Sequence, residues 1–394
     1  MMSRRLYLDN SATSFPKPEA VLEAMIHYAR DIGASAGRGA YREAIRSAEI
    51  IARCRTLLAR LFHAPKPESF LFTLNATDAL NLAIKGLLRP GDHAIATWMD
   101  HNSVLRPLNA LRDRIGITTT IVSCDSRTGL VDPDDIRRAI EPKTRLIVVV
   151  HASNVTGTVQ PIAEIGRIAR ERDIAFVVDA AQSVGHLPID VQALPVDAMA
   201  FPGHKALLGP LGTGALYIRP GLERQLETLR EGGTGSVSEK PYQPEFLPDR
   251  YEPGSHNAIG IAGLAAGVEY LLDRGIDDLR RHEESLSAAF MDAVAGIDRL
   301  TLYGPRRMSD RVGVFSIRIA GYEPAELSAV LEARFGILTR SGLHCAPLAH
   351  RTIGTYDGGG TTRFSFGPFV TRDDVARAAE ALAELARQSR PVAV

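Results

Sequence analysis

The stretch Phe201-Pro202-Gly203-His204-Lys205 places a lysine directly after a short apolar run. Two other stretches complete a pattern: Val177-Val178-Asp179-Ala180-Ala181-Gln182 lies upstream, and Arg340-Ser341-Gly342-Leu343-His344-Cys345 lies far downstream. Burial lowers the pKa of a lysine and lets it form an imine, a carboxylate after an apolar strand needs a charged partner, and a thiolate is a nucleophile. Each residue alone has an ordinary structural interpretation, but the three together indicate an enzyme that uses Schiff-base chemistry.

Short β-branched runs alternate with helical patterns through the middle of the chain, which is typical of an α/β layer with a mainly parallel sheet. Ligands bind at the carboxyl ends of the strands in such sheets. Asn154, Asp179 and the pair His204-Lys205 each follow the end of a predicted strand. The sequence therefore predicts that these side chains meet at one edge of the sheet. The predicted strands are 69–73, 93–97, 118–123, 146–150, 175–178, 198–201 and 215–218, and the clearest helices are 77–88 and 162–170.

The pattern changes after about residue 270. An alternating run over 312–319 predicts an antiparallel strand, and residues 324–335 and 371–388 have helical patterns, the second with Thr371 and Asp374 at capping-box spacing. We therefore predict a smaller C-terminal α+β domain, because the chain is also too long for one ordinary core. The predicted large domain covers 17–270, and the small domain combines 1–16 with 271–394 and carries Cys345. Residues 232–254, rich in Gly, Pro and Glu, are predicted to be a long excursion over the active site.

Composition limits the class of protein. The 394 residues include 46 basic and 46 acidic side chains, so bulk charge gives no reason to expect a nucleic-acid or membrane-surface partner. The three cysteines are far apart, which favours a reducing compartment over a disulfide framework. The first residues run into a predicted strand without a long apolar stretch, so the sequence predicts no signal peptide or membrane span and a cytoplasmic protein.

Three further positions have both a functional and an ordinary interpretation. Asn75-Ala76-Thr77-Asp78 opens a predicted helix, where free N–H groups can receive a phosphate or where Asn75 is simply an N-cap. His101 follows a strand end and can stack on a cofactor ring or be a loop histidine. Arg363 begins a strand, where a guanidinium can bind a carboxylate with two parallel hydrogen bonds or lie at the surface.

The three cysteines differ in their surroundings. Cys54 stands at helical spacing with apolar neighbours and Cys124 closes a predicted strand, so both are predicted to be structural. Cys345 lies in a short polar stretch that we predict to be a loop, where a thiol is accessible to reagents. A metal site formed by His344, Cys345 and His350 is the alternative, but the stretch lacks the ligand spacing of known zinc sites. We therefore expect no metal.

From Leu6-Tyr7-Leu8-Asp9-Asn10-Ser11-Ala12 to its C-terminal helix, the chain resembles the class V, fold-type I pyridoxal phosphate enzymes of the cysteine desulfurase and selenocysteine lyase branch. The resemblance is most specific at residues 179–182, 203–205 and 340–345. The compact Arg-x-Gly-x-His-Cys loop is similar to that of the second group of desulfurases. The resemblance implies a large domain with a mainly parallel seven-stranded sheet and a smaller C-terminal α+β domain.

The resemblance also implies a role for each site residue. Lys205 would form the Schiff base with pyridoxal 5'-phosphate and act as the base, Asp179 would pair with the pyridine nitrogen, and Cys345 would take the sulfur. His101 would stack on the ring face and is implied to be catalytic as well. The other implied cofactor contacts are Gln182 and Asn154 with the ring oxygen, Ala76, Thr77 and His204 with the phosphate, and Ser255 with the phosphate of the other subunit. Arg363 would bind the substrate carboxylate, and Asn154 is implied to contact the substrate as well. A homodimer with shared active sites follows from the role of Ser255.

The implied reaction converts L-cysteine to L-alanine and leaves a persulfide on Cys345, which a reductant or a sulfur-acceptor protein clears. Three alternatives stay open: a selenocysteine lyase acting on L-selenocysteine, another class V reaction (aminotransferase, epimerase or carbon–sulfur lyase) in which Cys345 is incidental, and a non-enzymatic scaffold. Three residues depart from the family's pattern. Pro202 stands where relatives commonly have a phosphate-binding Ser or Thr, and Leu343 and Tyr41 stand where second-group members often have His.

Overall fold

The computed structural model describes residues 5–37 and 39–388. The strands of these residues are β1 (Leu6–Tyr7), β2 (Phe70–Thr73), β3 (His93–Thr97), β4 (Thr118–Val122), β5 (Thr144–Val150), β6 (Ala175–Asp179), β7 (Ala198–Pro202), β8 (Gly214–Ile218), β9 (Leu300–Tyr303), β10 (Val314–Ile319), β11 (Ile337–Leu338), β12 (Arg340–Gly342) and β13 (Thr361–Ser365). The α-helices are α1 (Glu19–His27), α2 (Arg42–Leu61), α3 (Ala76–Leu87), α4 (Asn102–Ile115), α5 (Pro133–Arg138), α6 (Ile162–Glu171), α7 (Ala258–Arg274), α8 (Ile276–Ala295), α9 (Pro324–Phe335), α10 (Pro347–Thr352) and α11 (Arg372–Gln388).

The large sheet has seven strands in the order β2-β8-β7-β6-β5-β3-β4. Strand β8 runs antiparallel to both of its neighbours, and the other six strands share one direction. Successive residues of β5 point to opposite faces, so Leu146 and Val148 join one buried apolar cluster while Ile147 and Val149 join another. Burial on both faces explains why the central strands have continuous apolar sequences. The predicted mainly parallel seven-stranded sheet is confirmed.

The sheet topology brings the carboxyl ends of several strands together. Strand β6 lies between β5 and β7, and it ends at Asp179. Asn154 follows the end of β5, Lys205 follows the end of β7, and His101 follows the end of β3, which is the next strand beyond β5. These side chains therefore start from one edge of the sheet although they are up to about a hundred residues apart in sequence.

A second, antiparallel sheet has the order β12-β13-β10-β9, and its core contains Phe290, Phe315, Phe364 and Phe366. Strand β1 pairs in parallel with β11, so the beginning of the chain joins this C-terminal part. The α+β character predicted for the region is confirmed. The division at residues 16/17 and 270/271 stays a prediction, which the separate sheets support, and its outer limits at residues 1 and 394 lie outside the described residues.

Local signals predicted some boundaries better than others. The backbone N–H of Asp374 donates to Thr371 Oγ1 at 3.2 Å and the N–H of Thr371 donates to Asp374 Oδ2 at 3.0 Å, which confirms the capping box of α11. Strand β10 begins two residues later than predicted, because the Val312 N–H donates to the Gly157 carbonyl oxygen at 2.9 Å instead of to a neighbouring strand.

Residues 232–254 contain neither helix nor strand, as their composition predicts. None of them lines the cavity beside Lys205, however, so within this chain the segment does not cover that site. Its last residues instead line a second cavity, together with Ser255 and Arg230. Within the described residues, no helix is both long and apolar enough to cross a bilayer. The expectation of no signal peptide partly concerns residues 1–4. These four residues lie outside the described part of the chain.

Candidate active site

A cavity of about 200 Å³ opens at the carboxyl edge of the large sheet. Eight of the eleven residues singled out in the sequence line it: Ala76, Thr77, His101, Asn154, Asp179, Gln182, His204 and Lys205. The cavity also includes Pro202, which supplies no hydroxyl group, and Ser103, which the sequence analysis missed. The other three predicted residues, Cys345, Arg363 and Ser255, do not line this cavity.

Lys205 follows β7 through Gly203, where an added Cβ would lie 2.3 Å from Thr213 Oγ1, so a larger residue would have to displace the Thr213 side chain. The surroundings lower the pKa of Lys205 to about 8. Burial is the main cause, the Asp179 carboxylate opposes it, and the Arg363 guanidinium adds to it. A substantial fraction of the amine is therefore neutral near physiological pH, as both imine formation and proton transfer require.

A segment near the N-terminus fixes the backbone of Lys205, and the sequence analysis missed it. Ser14 Oγ donates to the Lys205 carbonyl oxygen at 2.8 Å, and Lys17 Nζ donates to the His204 carbonyl oxygen at 2.8 Å. Burial lowers the pKa of Lys17 to about 8. The signal that could have revealed this contact is the rigid setting of Lys17 between two prolines, Pro16 and Pro18.

Asp179 is 2% exposed, and its Oδ1 accepts a hydrogen bond from the Ala181 N–H at 3.0 Å. Burial raises the pKa of Asp179, although the Ala181 N–H and the charge of Lys205 oppose the shift. A buried carboxylate is costly unless a charged partner meets it. Asp179 lines the cavity, so a cationic ring nitrogen bound in the cavity would supply the charged partner.

His101 caps α4 with its ring. The Ser103 backbone N–H donates to His101 Nδ1 at 3.0 Å, so the proton of the neutral ring sits on Nε2. Burial, followed by the charges of Lys205 and Arg106, lowers the pKa of His101 to about 4. The ring is therefore held neutral and in one orientation at the cavity wall. Ser103 Oγ also meets Thr77 Oγ1 at 2.7 Å, which joins the N-termini of α3 and α4.

Three buried polar atoms of the cavity residues have no hydrogen-bond partner among the described residues: Asn154 Oδ1, Gln182 Oε1 and His204 Nδ1. Each such atom costs about 1–3 kcal/mol when it is buried without a partner. A ligand with polar groups along its edge would satisfy them. The amide nitrogens of two of these side chains are anchored: Gln182 Nε2 donates to the Ser11 carbonyl oxygen at 2.9 Å, and Asn154 Nδ2 donates to the His344 carbonyl oxygen at 2.6 Å.

The N-terminus of α3 forms the end of the cavity that can receive an anion. Asn75 Oδ1 accepts the Asp78 N–H at 3.0 Å, which confirms the predicted N-cap. The N–H groups of Ala76 and Thr77 belong to the first turn, so they have no partner within the helix. Free N–H groups and the positive end of the helix dipole together favour a phosphate.

Cys345 lies in the loop between β12 and α10, and its side chain is exposed. Both His344 (φ 49°) and Cys345 (φ 58°) have left-handed backbone conformations, which are uncommon for residues with a side chain. Two hydrogen bonds hold this geometry: Asn154 Nδ2 donates to the His344 carbonyl oxygen at 2.6 Å, and the Asn102 N–H donates to the Cys345 carbonyl oxygen at 2.8 Å. The thiol faces a groove beside the cavity, and His101 lines both.

The other two cysteines lie in different settings. Cys54 is fully buried in the core, as predicted, and burial raises the pKa of its thiol to about 12. Cys124 is half-buried, and burial raises the pKa of its thiol to about 12 as well. In the described part of the chain, no three His, Cys, Asp or Glu side chains are grouped so that they could hold a metal ion.

Arg363 is only 2% exposed, so the alternative of a surface arginine is wrong. Its Nη2 donates to Asp9 Oδ1 at 2.8 Å and its Nη1 donates to the Asn154 carbonyl oxygen at 3.1 Å, while the buried Nε has no partner among the described residues. Ser255 is exposed and lines the second cavity. The substrate role of Arg363 and the cross-subunit role of Ser255 stay predictions.

The mainly parallel seven-stranded sheet and the lysine-lined cavity at its carboxyl edge define the class of this protein, and a comparison of sequences identifies the same class. The sequence model of the Aminotransferase class-V family matches residues 6–378, nearly the whole chain. The chain therefore belongs to the class-V aminotransferase family.

Named relatives narrow the comparison. The chain is 36% identical over 390 residues to a probable cysteine desulfurase of Methanothermobacter thermautotrophicus, and the match covers 98% of this chain and 96% of that protein. It is 34% identical over 380 residues to a cysteine desulfurase of Yersinia pseudotuberculosis, which covers 94% of this chain and 91% of the relative. Among solved structures, the apo cysteine desulfurase of Thermococcus onnurineus superposes with a TM-score of 0.91 at 33% identity, covering 98% of this chain and 95% of that chain.

Proposed function

We propose that this chain is a pyridoxal phosphate-dependent cysteine desulfurase, which converts L-cysteine to L-alanine and moves the sulfur to Cys345 as a persulfide. The observation that carries the proposal is the tie between two parts of the molecule. An exposed thiol on a strained loop is held, through the bond from Asn154 to His344, beside a cavity that is lined by Lys205 and Asp179. The names of the relatives agree with that chemistry.

The residues of the cavity fit pyridoxal 5'-phosphate, which supplies an electron sink for the carbon skeleton of an amino acid. The first turn of α3 and the free His204 Nδ1 would hold its phosphate. Asp179 would keep the ring nitrogen protonated, and Lys205 would attach it covalently. Asn154, Gln182 and His101 would orient the ring, because the two amides have unpaired oxygens and the imidazole is pinned by Ser103. Pro202 removes one hydroxyl contact that relatives commonly use.

Separate side chains of this protein would then carry out the proton transfer, the attack on sulfur and the binding of the substrate. Lys205, with its pKa lowered to about 8, can take the proton from the α-carbon of the substrate and return it to the product. The Cys345 thiolate attacks the sulfur of the substrate. A sulfur–sulfur bond forms, the bond between Cβ and sulfur breaks, and its electron pair stays with the carbon skeleton, which leaves as alanine after it takes up protons. Arg363 would bind the substrate carboxylate, since its Nε is buried and unpaired.

We further propose a homodimer with shared active sites. Large apolar side chains are exposed on helices that pack together, namely Leu22 and Ile26 on α1 and Ile259 on α7. Exposed apolar groups gathered in one region are typical of a protein interface. Ser255 lies outside its own Lys205 cavity, so it is free to reach the phosphate of a second copy.

Mixed dimers test this arrangement. Lys205→Ala and Ser255→Ala chains should each form impaired homodimers, whereas mixing them should restore one intact site in every mixed dimer. Recovery of activity on mixing supports shared sites. A monomer in light scattering, or no recovery on mixing, contradicts them.

The principal experiment measures alanine and sulfide from L-cysteine and dithiothreitol, with Cys345→Ala beside the matched control Cys124→Ala. We expect equal amounts of alanine and sulfide from the wild type and from the control, and loss of both in Cys345→Ala. No alanine from the wild type would overturn the proposal. If Cys345→Ala kept its rate on L-selenocysteine while losing it on L-cysteine, a selenocysteine lyase would be the better description.

A further inference from the structure

An open groove of about 360 Å³ starts beside Cys345 and runs outward between α3 and α4. Its walls follow the helical repeat: Asn81 and Lys85 line it from α3, and Asn102 and Arg106 line it from α4. The inner end is fixed by the hydrogen bond from the Asn102 N–H to the Cys345 carbonyl oxygen. Because α4 rises 1.5 Å per residue, Arg106 lies about 6 Å farther out than Asn102 along its axis.

The groove carries positive charge that nothing in the described residues neutralises. Lys85 and Arg106 line it, and none of its lining residues is an Asp or a Glu. Neither cation forms an ion pair or a side-chain hydrogen bond with a described residue, whereas other exposed arginines, such as Arg137 and Arg219, pair with a carboxylate. The charge of Arg106 also reaches His101, whose pKa it helps to lower. The groove is therefore suited to an anion.

The groove and the cavity share one wall, and only the groove is lined by Cys345. His101, Ser103 and Thr77 line both spaces and so form a common wall, whereas Lys205 and Asp179 line only the cavity and Cys345 lines only the groove. A molecule in the groove can therefore reach the sulfur of Cys345 without displacing a substrate or cofactor from the cavity.

We propose that this groove is the binding site of a sulfur acceptor, and that the acceptor is a small thiol that carries two carboxylates. The inference rests on the proposed desulfurase function and names its second substrate. The volume lies in the range of small-molecule sites, which is about 300–1,000 Å³. Two cations on opposite walls match two carboxylates, and the thiol of the acceptor would then face Cys345.

The transfer of sulfur from Cys345 to the acceptor needs no added oxidant or reductant. The acceptor thiolate attacks the outer sulfur of the Cys345 persulfide. A new sulfur–sulfur bond forms on the acceptor, the bond between the outer sulfur and Cys345 Sγ breaks, and its electron pair leaves on Cys345 as a thiolate. The acceptor departs as a persulfide, and the enzyme is ready for another substrate.

One experiment tests the groove without any turnover. The Cys345 thiol of the holoenzyme is treated with the dianionic disulfide 5,5'-dithiobis(2-nitrobenzoate) or with neutral 2-hydroxyethyl disulfide, and Cys345→Ala supplies the blank. We expect Lys85→Glu/Arg106→Glu to react about tenfold more slowly with the dianion than the wild type does, and at an unchanged rate with the neutral reagent. Lys143→Glu, at the opposite edge of the sheet, is the matched control, and Lys85→Arg/Arg106→Lys should behave as the wild type.

A second experiment measures transfer itself. The Cys345 persulfide is formed with L-cysteine, desalted and discharged with mercaptosuccinate, 2-mercaptoethanol or cysteamine, and the intact mass of the protein reports its loss. The double charge reversal should slow discharge by mercaptosuccinate about tenfold, leave 2-mercaptoethanol unchanged and accelerate cationic cysteamine. Using the ratio of variant to wild type for each thiol cancels differences in thiol reactivity.

The outcomes separate this inference from the proposed function. If no persulfide forms, the proposed desulfurase function fails, and the labelling experiment still decides whether the groove selects anions. Equal effects of the charge reversal on all three thiols overturn the inference. So does a charge reversal that impairs only persulfide formation from L-cysteine, because the groove would then be the path of the amino-acid substrate. Discharge that needs a protein acceptor and is indifferent to mercaptosuccinate overturns it as well.

Discussion

Asn154 Nδ2 donates a hydrogen bond to the backbone carbonyl oxygen of His344 at 2.6 Å. The two residues are 190 positions apart, one after β5 of the large sheet and the other directly before Cys345. The bond therefore connects the cavity beside Lys205 with the loop that carries the thiol. Because His344 and Cys345 both have positive φ, the loop needs such support to keep its shape.

Replacing Asn154 by Asp should loosen this loop. A carboxylate cannot donate to the His344 carbonyl oxygen, and the two oxygens repel each other. In the protein without cofactor, we expect faster hydrogen exchange at the Asn102 and Ala346 amides, which bond within or to the loop, and at least about a tenfold loss of sulfide production in the loaded enzyme. Gln182→Glu lies in the same cavity but does not touch the loop, so its exchange rates at these amides should match those of the wild type. Unchanged exchange in Asn154→Asp would refute the coupling.

The ion pair between Arg363 and Asp9 predicts that a mutation of Asp9 lowers both the thermal stability and the KM for L-cysteine. Asp9→Asn removes the carboxylate that Nη2 now meets at 2.8 Å and leaves a buried guanidinium without its counter-charge. We expect a lower thermal midpoint, because a broken buried pair costs about 3–5 kcal/mol. We also expect a lower KM for L-cysteine, since the substrate carboxylate becomes the remaining counter-charge. Thermal unfolding and steady-state kinetics measure the two effects, and a raised KM would show that Asp9 helps to position Arg363 for its substrate.

The lowered pKa of Lys205 predicts how fast the protein without cofactor takes up pyridoxal phosphate. Only the neutral amine attacks the aldehyde, so the initial rate should increase with pH through a midpoint near 8 and fall below it. Asp179 raises the pKa of Lys205, so Asp179→Asn should move the midpoint to lower pH. Absorbance of the bound cofactor at several pH values gives the profile. A midpoint near that of an ordinary exposed lysine would contradict the assignment of burial as the cause.

A buried network at Glu283 predicts pH-dependent stability. Burial raises the pKa of Glu283, but His186, Arg280 and the Gly313 N–H together lower it below its usual value of 4.5. The carboxylate therefore stabilises the fold above that value, and the contribution is lost as the pH falls through the lowered pKa. At pH 7, Glu283→Gln should lower the free energy of unfolding by about 3–5 kcal/mol.

The control for this prediction is Glu284→Gln. Glu284 pairs with the same Arg280, at 2.9 Å, but it is 37% exposed, so its loss should cost at most about 1 kcal/mol. Denaturant unfolding at pH 7 and at pH 4 measures both variants. The difference between wild type and Glu283→Gln should become smaller at the lower pH, and a constant difference would contradict the linkage.

The sequence predicted the elements of the large sheet because their signals are local. Strand β3 and helix α9 begin and end where the apolar patterns do, and the N-cap Asn75 accepts the expected hydrogen bond from the Asp78 N–H. Errors of one or two residues occur where a distant partner competes, as at Val312. The role of Lys17 was missed because its partner, the His204 carbonyl oxygen, belongs to a backbone 187 positions away.

The chemistry of the site could also be predicted from the residue types in the sequence, whereas the geometry of the site could not. A lysine, an aspartate and a cysteine in their motifs were sufficient to indicate Schiff-base chemistry with a thiol. Sequence order cannot show that Arg363 is paired with Asp9, that Cys345 faces a groove rather than the cavity, or that Ser255 lies in a separate cavity. Those relationships depend on contacts between segments that only the folded sheet brings together. Local propensity and apolar periodicity determine the elements, and long-range packing decides which side chains meet and which charges stay unpaired.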